Sequence, residues 1–316
     1  NLVNELGSDG RLMLNKDKEV YHVNLCEKLL VLSLAKICNY VPGAGIWLNT
    51  QRPEWNDANN ALVGNGCSMV TVYYLKRFLK FFKKIIARIE IKEVKISHEV
   101  FFWFNEVEAV VSNNLSISHD SCSDSDRMDF VSKLGTIFQS YRESIYSSGF
   151  STLKKLSLKK LESFLSDILI KLNETILCNR TNDKLFDAYN TISIDNKHQS
   201  IDVKRLDLML EGQVAGLTSE LKNTSYNITT LKSLFSSDLY RPDMRSFILY
   251  PEKNIKPFLK KNIIKEKDLQ KSLLLCNLIN KKNKSIVEND IEGNVRFNAK
   301  FRNRFDLMVA LEKLSK

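Results

Sequence analysis

Between residues 49 and 66 the chain reads NTQRPEWNDANNALVGNG, a stretch whose residue types could do chemistry. Asp57 can give a proton or hold a charge, and Glu54 is a second carboxylate three positions earlier. Trp55 offers a flat ring for the C–H face of a sugar, while the amides of Asn56, Asn59 and Asn60 pair well with hydroxyls. Arg52, kept extended by Pro53, adds a cation. The same residues also suit a helix start, with Asp57 as N-cap and Trp55 as a core plug. These roles compete, because amide donors at a helix N-terminus lower a carboxylate's pKa whereas a general acid needs it raised.

Only five Pro and eleven Gly interrupt the chain, which leaves room for long helices to position that stretch. One helix is expected over 20–40. The next carries an apolar stripe of Met69, Val70, Tyr73, Tyr74, Phe78, Phe81, Phe82 and Ile85 at spacings of three and four. Its start is expected near Asp57 to Asn60 and its end near Ile86, with Gly64 and Gly66 able to break it early. The weakly alternating EIKEVKIS reads as a short strand or extended connector. Helices are expected at 97–112, 126–147, 153–177, 203–222, 228–236, 267–281 and at the end to 314. The stretch from Cys178 to Asp202 lacks helical periodicity and reads as a loop, and SFILYP reads as a short strand closed by Pro251. Roughly nine helices with scraps of strand predict an all-α fold. Strands and helices do not alternate, and GxGxxG and P-loop motifs are absent, which disfavours a doubly wound α/β fold.

The formal net charge of +10 comes from lysines spread along the whole chain, which reads as solvated helix faces and not as a nucleic-acid surface. The most apolar run contains Glu27, Lys28 and Lys36, so no membrane span is expected. Six cysteines without CxxC spacing, beside four histidines, predict no metal site and unpaired thiols. Such thiols favour a reducing compartment, and a cytoplasmic location is expected.

RPEWNDANNALVGNG resembles the WND segment of six-hairpin, (α/α)6-toroid carbohydrate enzymes, including cellobiose phosphorylase-like proteins. In those phosphorylases the Asp of the triplet is the general acid, which the resemblance places on Asp57. The residue before Trp is commonly Asp there and is Glu54 here. More of the chain is similar to large, mostly uncharacterised bacterial proteins related to these enzymes. The likeness is carried in order by EVYHVNLCEKLLVL, PGAGIWLNTQRPEWNDANNALVG, MLEGQVAGL, SSDLYRPDMRSFILYPEK and GNVRFNAKFRN. The polar stretch 179–199 departs from the pattern. The resemblance implies an (α/α)6 toroid or the C-terminal part of one. Residues 1–316 would then be a single catalytic-type helical domain of a longer protein, with a possible subdivision near 179–200.

The implied chemistry is inverting cleavage or phosphorolysis of a glycosidic bond in an oligosaccharide, with no cofactor beyond inorganic phosphate as co-substrate. An inverting hydrolase needs a second carboxylate roughly 6.5–9.5 Å from the acid to activate water. Glu211 in MLEGQVAGL is the candidate, and is equally a first-turn Glu favoured by the helix dipole. A phosphorylase instead needs cations and donors for phosphate. Arg52, Arg241 and Arg245 are available, with Tyr240 beside them, and each Arg could instead pair with a neighbouring carboxylate such as Asp243. His22 is read as a ligand partner or a satisfied core histidine. A non-catalytic carbohydrate-binding domain and a helical interaction scaffold are the other readings.

Overall fold

The computed structural model describes residues 2–15, 17–49, 62–114, 122–219, 224–251, 260 and 263–314. The chain divides into two compact units, 1–251 and 252–316, and the stretch 179–200 lies inside the first.

In the first unit, a short helix α1 (Leu2–Leu6) precedes α2 (Leu25–Ile37), α3 (Met69–Ile86), α4 (His98–Asn113), α5 (Asp124–Ser148) and α6 (Leu158–Cys178). The helices α7 (Leu210–Ser219) and α8 (Thr224–Phe235) follow. Their starts carry the local chemistry of helix initiation. Asn24 and Ser68 accept from the amides of Glu27 and Thr71, and Ser123 and Asp126 cap each other's backbone reciprocally. Part of the stripe anticipated on α3 faces the core: Met69, Val70, Tyr73 and Phe82 are buried, while Tyr74 and Phe81 are exposed. Met69, Val72, Tyr73, Leu79 and Phe82 are enclosed in one core with Leu34, Phe104, Phe164 and Leu172. Each such side chain contributes about 1.5–3 kcal/mol by leaving water.

The expected all-α fold is not what forms. Among the described residues, strands β1 (Tyr40–Val41), β2 (Gly45–Trp47), β3 (Gly66–Ser68), β6 (Tyr189–Asp195) and β7 (Ser200–Arg205) make a five-stranded sheet. Its order is β1-β2-β3-β6-β7, and every pairing is antiparallel. The fold is mixed α and β. The stretch expected to be a loop supplies β6 and the first residues of β7, and the helix expected at 203–222 shrinks to α7. The stripe on α3 belongs to a helix of its own, set off from Leu62 by a turn with Gly64 at φ +87° and by β3.

A second ribbon pairs β4 (Glu93–Ser97) with β5 (Leu153–Ser157), so the helix expected over 153–177 opens as a strand. Each ribbon strand runs directly into a helix, β4 into α4 and β5 into α6. A small hairpin, β8 (Tyr240–Arg241) with β9 (Ser246–Phe247), closes the unit. Arg127, 6% exposed, ties α5 to the sheet by donating to the carbonyls of Pro42 (2.9 Å) and Ile201 (2.6 Å).

The second unit contains α9 (Glu266–Leu269), α10 (Leu273–Asn280) and α11 (Arg304–Leu314) around a two-stranded ribbon, β10 (Val287–Asn289) with β11 (Val295–Phe297). The helix expected at 267–281 is thus split in two. Leu278, Ile286 and Val287 form this unit's own small core.

Candidate functional site

Residues 50–61 hold Arg52, Glu54, Trp55, Asn56, Asp57, Asn59 and Asn60, and they lie outside the described residues. Both flanks of the stretch are described, and they are neighbours in the sheet. Trp47 of β2 faces Cys67 of β3, the Leu48 amide donates to Gly66 (2.8 Å), and the Gly64 amide donates back to Leu48 (2.7 Å). The Trp47 indole adds a hydrogen bond to the Gly64 carbonyl at 3.0 Å. β2 can lie this close because Gly45 has φ +126° and no side chain; a Cβ there would meet the Ser68 carbonyl oxygen at 2.9 Å. The preceding turn is held by two buried asparagines. Asn179 donates to the Gly43 carbonyl (2.8 Å), Asn190 donates to that of Ala44 (2.7 Å), and Asn190 also donates to Asn179 (2.7 Å). Asn179, which opens the sequon NRT, is 1% exposed and is a structural residue.

The segment MLEGQVAGL is a docking surface between α7 and the start of β6. The Gln213 side chain accepts from the Phe186 amide (2.8 Å) and donates to the Phe186 carbonyl (2.6 Å), so one amide group stands in for a strand partner. Gly216 lets the helix approach: a Cβ there would lie 2.4 Å from the Phe186 ring. Glu211, in the first turn, accepts from the Tyr189 hydroxyl at 3.0 Å. Tyr189 faces Ser68 in the β3–β6 pair, whereas the flanks of the 50–61 stretch join β3 at the Gly66 end. Two residues of strand separate those levels, about 7 Å.

Asp187, two residues before Tyr189, is a buried carboxylate. Burial pushes its pKa up to about 6, and the Arg205 guanidinium opposes the shift from 3.6 Å. Its Oδ2 atom accepts no hydrogen bond.

Tyr240, Arg241 and Arg245 share the β8–β9 hairpin. Asp243 takes Arg241 in a bidentate pair at 3.0 and 2.9 Å, the neighbouring-carboxylate alternative of the sequence reading. Arg245 is exposed, with φ +48°. Tyr240 packs with Phe235 and Phe247, ring centres 5.0–5.2 Å apart. The hairpin is joined to α7 by a hydrogen bond from the Leu210 amide to the Leu249 carbonyl, 2.9 Å. Beside this junction opens a cleft of about 500 Å³, where Asp183, Lys232, Ser236, Ser237 and Asp238 stand against a floor of Leu185 and Leu239. Hydroxyls and carboxylates over an apolar floor suit a polyhydroxylated ligand. Ser236, Ser237 and Asp238 lie within SSDLYRPDMRS, N-terminal to the Tyr and Arg residues that the sequence singles out.

His22 is exposed and does not serve the core. All six cysteines are free, and no group of three metal-ligating side chains is found among the described residues. No helix of the described residues is long and apolar enough to cross a membrane.

Comparison with known proteins points to carbohydrate-active phosphorylases as a class. In particular, residues 255–316 match a family model described as GH149 phosphorylase insertion domain 2. The matched residues fill nearly all of the second compact unit, which is thus similar to a domain inserted within glycoside phosphorylases. The match supports neither a six-hairpin toroid nor a cellobiose phosphorylase-like body, and the five-stranded sheet overturns the expected all-α toroid. No curated protein matches the chain.

Proposed function

We propose that the chain is part of a carbohydrate-active protein of glycoside phosphorylase type, acting on an oligosaccharide with inversion at the anomeric carbon. The observation that carries this reading is the coincidence between the matched residues 255–316 and a self-contained unit, 252–316. In the proposed reaction a phosphate oxygen attacks the anomeric carbon and the glycosidic C–O bond breaks. Asp57 protonates the departing oxygen, and the products are a sugar 1-phosphate and a shortened acceptor. Trp55, Glu54, Asn56, Asn59 and Asn60 would hold the sugar, with Arg52 available for phosphate and Arg241, Arg245 and Tyr240 as further contacts. Phosphorolysis needs no base to activate water, and Glu211, hydrogen-bonded to Tyr189, fits a positioning role better than that of a base. Six free thiols fit a reducing compartment such as the cytoplasm.

The test is to incubate the intact protein with a panel of oligosaccharides, with and without inorganic phosphate, and to assay sugar 1-phosphate. Phosphate-dependent product that falls roughly 10²–10⁴-fold in Asp57→Asn is the expected result. Reducing sugar formed equally without phosphate would replace phosphorolysis by hydrolysis. Oligosaccharide binding without turnover would leave a binding domain.

A further inference from the structure

A second cleft, of about 320 Å³, lies between α4 and α5. The β4–β5 ribbon builds its rim. The His98 amide donates to the Thr152 carbonyl at 2.8 Å, which carries Ser151 to Glu99, whose Oε1 accepts from the Ser151 amide at 3.1 Å. The same oxygen also accepts from the Ser151 hydroxyl at 2.5 Å, but two atoms beside it have no partner. Glu99 Oε2 and His98 Nδ1, both on residues that line the cleft, are buried and make no hydrogen bond. Behind the rim stands Glu27, 2% exposed: its Oε2 accepts from the Ser97 amide at 3.1 Å, while its Oε1 has no partner. Buried polar atoms in folded proteins are normally satisfied, so the two on the lining of this cleft, Glu99 Oε2 and His98 Nδ1, point to a partner from outside.

The lining narrows the identity of that donor. Glu106 adds a second carboxylate to the wall, and Lys and Arg are absent from the residues lining it, although the chain carries a net charge of +10. The aromatic wall is Phe102, half exposed, with Trp103 stacked on Tyr141 at 4.0 Å. Burial, reinforced by the charges of Glu27 and Glu99, holds the Tyr141 phenol well above its usual range, so it stays neutral. Two carboxylates, an imidazole and aromatic faces match a ligand that is positively charged, rich in donors and partly apolar. A metal ion fits less well, because no group of three ligating side chains forms among the described residues.

We propose that this cleft binds a small organic cation bearing a protonated primary amine, which donates to Glu99 and Glu106 while its carbon frame lies on Phe102. A neutral polyol could fill the same hydrogen bonds, but only an ammonium adds the attraction of a full opposite charge to the two carboxylates. The inference does not rest on the phosphorylase reading, and Asp57→Asn should leave it unchanged.

Calorimetric titration of the intact protein with glucosamine, cadaverine and glucose tests it. Both amines are expected to bind, and glucose to bind at least about tenfold more weakly. Glu106→Gln, at an exposed position that does not endanger folding, and Glu99→Gln should each weaken amine binding by about fivefold or more. Glucose binding as well as glucosamine would overturn the cationic assignment in favour of a neutral sugar. Amine binding untouched by either substitution, or no binding of either amine, would overturn the site itself.

Discussion

The α7 dock and the α4–α5 cleft are both polar places inside an apolar core, and they treat their polar atoms in opposite ways. At the dock, Gln213 answers both backbone groups of Phe186, and Glu211 takes the Tyr189 hydroxyl. At the cleft, a histidine nitrogen and a Glu99 carboxylate oxygen are buried without partners. A site whose acceptors are filled by the chain itself is architecture. One whose acceptors remain open is built for something that arrives from outside. The dock carries Glu211, a candidate base in the sequence, whereas His98, Glu99 and Glu106 of the cleft belong to no motif there.

Breaking the dock should have the largest effect. Gln213→Leu keeps the volume but strands the Phe186 amide and carbonyl, and each such loss costs about 1–3 kcal/mol. Urea denaturation should show a midpoint far below wild type; a midpoint within error of it would mean that Gln213 is not what docks the helix.

Asp187 sits between the two cases, buried with one oxygen open and a cation 3.6 Å away. Its folded pKa, about 6, is above the ordinary 3.8, so the folded state binds more protons in that window. Stability should therefore fall as pH rises from about 4 to about 6, and Asp187→Asn should flatten that slope. Above pH 6 the variant should be the more stable by about 1–3 kcal/mol, a net figure in which the Arg205 contact is already included. Thermal melts across this range decide the matter.

Tyr189→Phe removes one hydroxyl from the dock and should cost about 1 kcal/mol. If Glu211 is a positioning residue, turnover should follow stability only; a change in the pH profile of activity would return Glu211 to the list of catalytic candidates. The smallest expected change is in the cleft. Glu99→Gln retains an acceptor for Ser151, so stability without ligand should stay within about 0.5 kcal/mol of wild type. A large loss would mean that the cleft, too, is architecture.

Much of the helical frame was legible in the sequence. The stripe from Met69 to Ile86 is long enough for the 3.6-residue period to declare itself, and the Ser123–Asp126 capping pair marks the start of α5. The sheet was not legible, because β1, β2 and β3 are two or three residues long and cannot display an alternation. β6 was hidden for another reason. A core position on it is filled by Asn190, whose partners, Ala44 and Asn179, lie far away in sequence or around a turn. In MLEGQVAGL the spacing of Gly212 and Gly216 hinted at close packing, but only the fold shows that Phe186 is what they pack against. His98 and Glu99 gave no signal at all, since an ordinary helix start needs the same residue types.

The pairing of β2 with β3 has a consequence for how this protein can change. The residues on either side of 50–61 lie on adjacent strands, and their register is set by Trp47, Leu48, Gly64 and Gly66. Even doubling the length of such a connection adds only about 0.6 kcal/mol of closure entropy. Changes of length between these strands therefore cost the β2–β3 pair little, and the sheet can keep its register while the connection varies.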